Sequence, residues 1–177
     1  LEWPFGDEGQ PVTVAAVEFR GFEVIPPEHL AQLQRQVPLS PGAPRDRRQV
    51  TATHELAVNE LRDHGYPYAK VSTAEQDGAS GKAATIVFTA EPGPVAHFGP
   101  VEIAGNSSVS DRVIERQLTF KPGDLYRRSV VQDSQRRLYQ MELFQFVNVE
   151  SLNPEQQPPQ VNTRVTVAEG KHQRVNF

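Results

Sequence analysis

Val101-Glu102-Ile103-Ala104-Gly105 repeats Val17-Glu18-Phe19-Arg20-Gly21 as Val-Glu-apolar-x-Gly, 84 residues further along the chain. The echo continues outward from this pair. Leu39-Ser40-Pro41-Gly42 is answered by Phe120-Lys121-Pro122-Gly123 at an offset of 81, and Leu61 to Tyr66 by Leu138 to Leu143 at an offset of 77. One unit closes on Glu91-Pro92-Gly93, the other on Glu169-Gly170. Four matches in one order, with a slowly drifting offset, mark a duplication. The 177 residues therefore read as two tandem units of about 80 residues each.

Each unit resolves into the same elements. In the first, residues 12–19 alternate, with Ala15, Val17 and Phe19 on one side, and Val101 and Ile103 do the same in the second. That is the period of a half-buried strand, and Gly21 and Gly105 mark a sharp exit from it. A helix follows. Pro26-Pro27-Glu28 starts it in the first unit, with Leu30, Leu33 and Val37 as its stripe. In the second unit Ser107, Ser108 and Ser110 offer N-caps, Asp111 suits the positive helix end, and Val109, Val113 and Leu118 recur at helical spacing. The Pro-Gly pair then turns the chain into a second helix, residues 48–64 or 128–141. Gly65 suits the left-handed end of the first of these, whereas Glu142 stands in its place in the second, which predicts a different ending there. Two strands close each unit, residues 68–76 and 85–90, then 146–152 and 161–168, joined by polar loops. The repeat alignment leaves the inward face of the last strand open, because a slip of one residue reverses it.

The order is thus β-α-α-β-β, twice, in the α+β class. First and last strands pair in parallel through the helical crossover, and the middle strand lies at an edge, antiparallel to the last. Two helices cover one face of each three-stranded mixed sheet. The domain bounds expected are 11–94 and 95–170, with 95–98 as a stiff junction, since prolines at 92 and 94 restrict it.

Composition narrows the chemistry. Leu, Ile, Val and Phe make up about a quarter of the chain, enough for a packed core. There is no cysteine, which excludes disulfides, a thiol nucleophile and a zinc–thiolate site. The net charge of −4 divides into −5 over residues 1–94 and +1 over 95–177. Neither half carries the positive field that a phosphate backbone demands, so nucleic acid is not an expected partner. No apolar run reaches the length of a membrane helix, and the start shows no signal-peptide pattern. The five histidines are scattered, without a pair of histidines at i, i+4 and without a His-Glu-x-x-His motif. No nucleophile elbow, phosphate loop or coupled carboxylate pair is present. No catalytic residue, metal or cofactor is expected. The basic clusters Arg45-Asp46-Arg47-Arg48, Arg127-Arg128 and Arg136-Arg137 read as solvated helix faces, with Arg137 paired to Asp133. Phe144 and Phe146 alternate with Gln145, which places one of them in the core.

With these residues in this order, the chain resembles the POTRA family, the polypeptide-transport-associated domains of BamA/TamA-type outer-membrane barrels. Val101 to Asn106 resembles the family's strand ending in Gly-Asn, and Phe120 to Tyr126 its Gly-x-x-Tyr turn between helices. Gln135 to Tyr139, followed by Leu143 to Val149, resembles the step from helix to edge strand. Gly65-Tyr66-Pro67-Tyr68-Ala69 is similar to a Gly-Tyr-Pro-x-Ala variant seen in TamA-like members. Glu142 and the Phe22 that follows Gly21 depart from the pattern, both in local turns. By the same resemblance residues 1–10 are a linker or the tail of a preceding domain, and 171–177 begin the passage into a β-barrel. The pair would then be the barrel-proximal one.

That resemblance implies a periplasmic module, attached to the outer membrane through its own C-terminal barrel. It would bind unfolded outer-membrane proteins, and accessory lipoproteins or a partner subunit, by strand addition at sheet edges. Main-chain hydrogen bonds read no side chain, which suits diverse clients. The residues expected to do this are Tyr68, Ala69, Lys70, Val71, Ser72 and Thr73 in one unit, and Phe146, Val147, Asn148, Val149 and Glu150 in the other. Two further roles fit the same residues: the POTRA pair of a two-partner secretion transporter, and a soluble periplasmic adaptor.

Overall fold

The computed structural model describes residues 11–170. The expectations for 1–10 and 171–177 lie outside the described residues. The chain forms two compact units, each with one three-stranded sheet.

The first unit holds β1 (Thr13–Arg20), α1 (Pro27–Gln36), α2 (Arg47–Arg62), β2 (Lys70–Asp77) and β3 (Ala83–Glu91). The second holds β4 (His97–Ala104), α3 (Asp111–Glu115), α4 (Arg128–Gln140), β5 (Phe144–Ser151), a 3-10 turn at Pro154–Gln156 and β6 (Gln160–Glu169). Strand orders are β1-β3-β2 and β4-β6-β5. In each sheet the last strand is central, parallel to the first and antiparallel to the middle one. This is the topology the repeat predicts.

The first strands are irregular in the same way. The register of β1 shifts between Val14 and Ala16, and that of β4 between Phe98 and Val101. A bulge adds residues to one strand and reverses the alternation across it. Ala15, expected among the inward residues, is exposed, and Val14 takes the core position instead, with Val17 and Phe19 half-buried. Phe98, the residue matching Val14, is likewise buried.

Beyond the bulges, each free margin of β1 and β4 is partly covered by the Pro-Gly turn of its own unit. The Val14 N–H donates to the Ala43 carbonyl and the Gly42 N–H to the Val14 carbonyl, at 2.9 and 2.8 Å. Correspondingly, the Phe98 N–H donates to Asp124 and the Gly123 N–H to Phe98, at 2.8 and 2.7 Å.

Both strands end on a glycine that no other residue replaces easily. Gly105 has φ +90°, and a Cβ there would lie 1.9 Å from the Val167 carbonyl oxygen; at Gly21, with φ +79°, it would lie 2.7 Å from that of Ala90. The chain leaves the sheet hard against the central strand, so sterics require glycine at both exits.

The central strands settle the face that repeat alignment leaves open. In β3 the residues Ala84, Ile86, Phe88 and Ala90 are buried, and in β6 Val161, Thr163, Val165 and Val167. Leu33, Thr53, Ala57 and Leu61 of the helices join the first core. Ile114, Phe120, Leu138 and Phe144 join the second, where Phe98 stacks on Phe120 with ring centroids 4.3 Å apart. Each second helix also buries one hydroxyl: Thr53 Oγ1 donates to the Gln49 carbonyl and Ser134 Oγ to that of Val130, both at 2.7 Å. Bonding to the carbonyl four residues back satisfies the hydroxyl within its own helix.

Three local expectations are corrected. First, α3 is only five residues long and stops before Leu118. The serines before it make no side-chain cap; instead the Glu169 carboxylate accepts from the backbone N–H groups of Ser107, Ser108 and Val109 and from the Ser107 hydroxyl. A full negative charge satisfies several amides at once, which a serine hydroxyl cannot match. Second, Glu142 does adopt the left-handed conformation, with φ 59°, as Gly65 does with φ 95°. Both second helices therefore end alike, and at Glu142 the chain bears roughly 1–2 kcal/mol of backbone cost. Third, Arg136 pairs with Asp133, at 3.1 Å, in the place foreseen for Arg137. Three residues of helix bring two side chains together as readily as four.

Candidate functional site: the edge strands

β2 and β5 each pair with the central strand on one side only. No strand among the described residues pairs with their other side. Which main-chain groups face outward follows from their hydrogen bonds. In an antiparallel pair, residues that exchange bonds with the partner alternate with residues that point away.

On β5 the Leu152 N–H donates to the Asn162 carbonyl at 2.8 Å, so Leu152, Glu150 and Asn148 point at β6. The Val149 N–H donates to the side-chain oxygen Oε1 of Gln135, on α4, at 3.2 Å, so Val149 points the other way. The outward set is Val147, Val149 and Ser151. On β2 the Gly78 N–H donates to the Ala83 carbonyl, so Gln76, Ala74 and Ser72 point at β3. The His54 ring, on α2, bonds the Val71 carbonyl through Nε2 at 2.7 Å. The outward set is Val71, Thr73, Glu75 and Asp77. Two bonds in each sheet give the same phase.

The expected site residues thus divide. Val71, Thr73, Val147 and Val149 turn their main chains outward, and Lys70, Ser72, Asn148 and Glu150 turn theirs inward. Tyr68 and Ala69 precede β2, and Ala69 is wholly buried. Phe144 is the core aromatic of its pair; Phe146, next to the register shift at the start of β5, is half exposed at 50 %. Glu75, Asp77 and Ser151 complete the outward sets beyond the residues foreseen.

Gln135 and His54 were not legible as site residues, since a polar side chain on a helix is ordinary surface. The repeat does align them, at an offset of 81. In both units one side chain of the second helix occupies one outward main-chain group of the edge strand.

Beside β5, between it and α4, lies a groove of about 470 Å³. Val131, Val147 and Val149 form its apolar part, and Arg128, Gln135 and Tyr139 its polar part. Tyr126 also lines it. Burial pushes the Tyr126 phenol up, against the pull of the Arg128 guanidinium and a hydrogen bond with Ser151. Side chains of a strand added to β5 alternate between the two faces, and one set faces this groove. Among the described residues no helix is long and apolar enough to cross a membrane.

Each unit thus sets an edge strand, with one margin outside the sheet ladder, beside a helix, and the arrangement occurs twice in tandem. The POTRA model, described as surface antigen variable number repeat, matches residues 12–93 and again 96–170. The chain belongs to the POTRA family.

Relatives agree. Over 78 % of its length the chain is 26 % identical to the outer membrane protein assembly factor BamA of Neisseria meningitidis, covering 17 % of that protein. It is 23 % identical to a putative outer membrane protein assembly factor of Treponema pallidum, covering 96 % of itself and 20 % of the relative. The chain spans about a fifth of the curated relatives it matches. In three dimensions it resembles Haemophilus influenzae BamA POTRA3-5, with a TM-score of 0.70, 17 % identity, and coverage of 90 % of this chain and 61 % of the other. It also resembles POTRA1-2 of the periplasmic domain of Omp85 from Anabaena, with a TM-score of 0.55, 22 % identity, and coverage of 92 % and 98 %.

Proposed function

We propose that this POTRA pair works in the periplasm as part of an outer-membrane protein assembly factor, tethered through a C-terminal barrel. It binds unfolded outer-membrane proteins as extended strands added to β2 and β5. Accessory lipoproteins or a partner subunit dock through the same kind of contact. The observation that carries this reading is the outward main chain of Val71, Thr73, Glu75 and Asp77, and of Val147, Val149 and Ser151. Such groups accept a strand of any sequence, and the groove beside β5 supplies a modest preference for apolar side chains at alternate positions.

Chemical-shift mapping of the 177-residue chain with an amphipathic β-peptide tests the proposal. Expected are amide shifts along β2 and β5, and their reduction at β2 in Thr73→Pro. That proline removes an outward donor and leaves the ladder to β3 intact. Shifts confined to the helices, with both edges silent, would overturn the reading.

A further inference from the structure

The groove beside β5 changes character along its length. Val147, Val149 and Ser151, whose main chains face outward, line it at intervals of about 7 Å, the rise of two strand residues. A turn of three residues joins α4 to β5, so the helix runs back along the strand and starts beside the strand's end. The bond from Val149 to Gln135, midway along α4, and the one between Tyr126 and Ser151 fix that alignment. Tyr139, one turn beyond Gln135, therefore borders the Val147 end, and Val131 lies in the middle with Val149. Arg128 stands at the Ser151 end, where its guanidinium also acts on the Tyr126 phenol. Among the described residues none that lines the groove is acidic. Arg136, the other cation there, is well exposed and bridged to Asp133, so water and a carboxylate screen it. Arg128 lies instead against the buried Tyr126, where less water reaches.

Given strand addition at β5, on which this rests, we propose that the second unit selects extended segments with two alternate apolar residues and an acidic one two positions further along. Residues opposite one another across a ladder share a face, so every second guest side chain enters the groove. The apolar pair fills the places beside Val147 and Val149, and the carboxylate reaches Arg128 beside Ser151. The order is apolar-x-apolar-x-acidic for a guest parallel to β5 and the reverse for an antiparallel one. A lipid headgroup offers Arg128 an anion but offers no main chain to the outward groups of Val147 and Ser151. The continuity of the cation with the strand edge thus favours a peptide. The edge of the first unit lacks this zone: its outward set ends on Glu75 and Asp77, with Glu75 bridged to Arg45. The two edges therefore accept guests of different charge.

Titration calorimetry and amide NMR of the 177-residue chain with three β-peptides test this. The peptides share an apolar-x-apolar centre and carry Glu, Gln or Lys two positions outside it on both sides, so either strand direction presents one to Arg128. The Glu peptide should bind about 3–10-fold more tightly than the Gln peptide, and the Lys peptide more weakly still, an advantage that shrinks as salt rises. Amides of β5 should shift with all three. Arg128→Gln should abolish the preference and Arg128→Lys keep part of it, whereas Arg112→Gln, on α3, should keep it whole, each with unchanged far-UV circular dichroism. Equal affinity for the three peptides, with β5 amides shifted, would overturn the inference and leave strand addition standing. Silent β5 amides with every peptide would instead overturn strand addition at β5. Binding of phosphatidylglycerol vesicles lost in Arg128→Gln, without a peptide preference, would assign the groove to lipid and overturn the inference. So would a salt-sensitive dimer of the chain, lost in the same variant, by placing a second copy there.

Discussion

Gln135 Oε1 accepts a hydrogen bond from the Val149 N–H, so α4 occupies with a side chain a donor that an added strand would use. If strands add at this edge as proposed, Gln135 competes with them for it. Gln135→Ala should bind an amphipathic β-peptide about 2–10-fold more tightly, the worth of one net hydrogen bond. Titration calorimetry checks this; unchanged or weaker binding would show that the guest does not use Val149.

Gly105→Ala should destabilise the second unit by more than about 3 kcal/mol, because the new methyl meets the Val167 carbonyl in a conformation L residues avoid. Gly21→Ala should cost less, its contact with Ala90 being looser. Denaturant unfolding of the two variants measures the difference. An equal cost would mean that backbone conformation, and not close approach, sets the requirement.

Thr163 sits in a buried row with Val161, Val165 and Val167, and its Oγ1 has no hydrogen-bond partner. Thr163→Val should stabilise the chain by about 1 kcal/mol, since it removes a desolvated hydroxyl at nearly constant volume. A lowered thermal midpoint would show that the hydroxyl is satisfied in solution.

Glu169 gives stability a defined acid limit. The hydrogen bond from the Ser107 hydroxyl, followed by the backbone N–H groups of Ser108, Val109 and Ser107, lowers its carboxyl from 4.5 to about 2. A folded value below the unfolded one means that the contribution is fully present above pH 4.5. It is lost as the pH falls from there towards 2. Thermal midpoints of the parent chain and of Glu169→Gln should converge over that interval. Parallel curves would show that the carboxylate does not hold the loop at residues 107–109.

Much of this architecture was legible in the residues. The duplicated Val-Glu-apolar-x-Gly, the Pro-Gly turns and the paired strand signals led to β-α-α-β-β twice, and the sheets have that order. Phe144 is the core aromatic and Phe146 is half exposed, one of the pair in the core as expected; the register shift between them separates two residues that a regular strand would hold on one face. The local errors have a common source. Ala15 departs from expectation because a bulge leaves no mark in an alternating pattern, and the serines because Ser107 and Ser108 are held by Glu169, some sixty residues away, in the loop ahead of α3.

Duplication, element order and the identity of each edge strand can be read from the residues alone, since periodicity, turn chemistry and chain connectivity are local properties. The phase of the edges and the occupation of Val71 and Val149 by His54 and Gln135 emerged only with the fold. Each of those depends on how a helix rests on its neighbours, and packing between segments distant in the chain is written in no single stretch of residues.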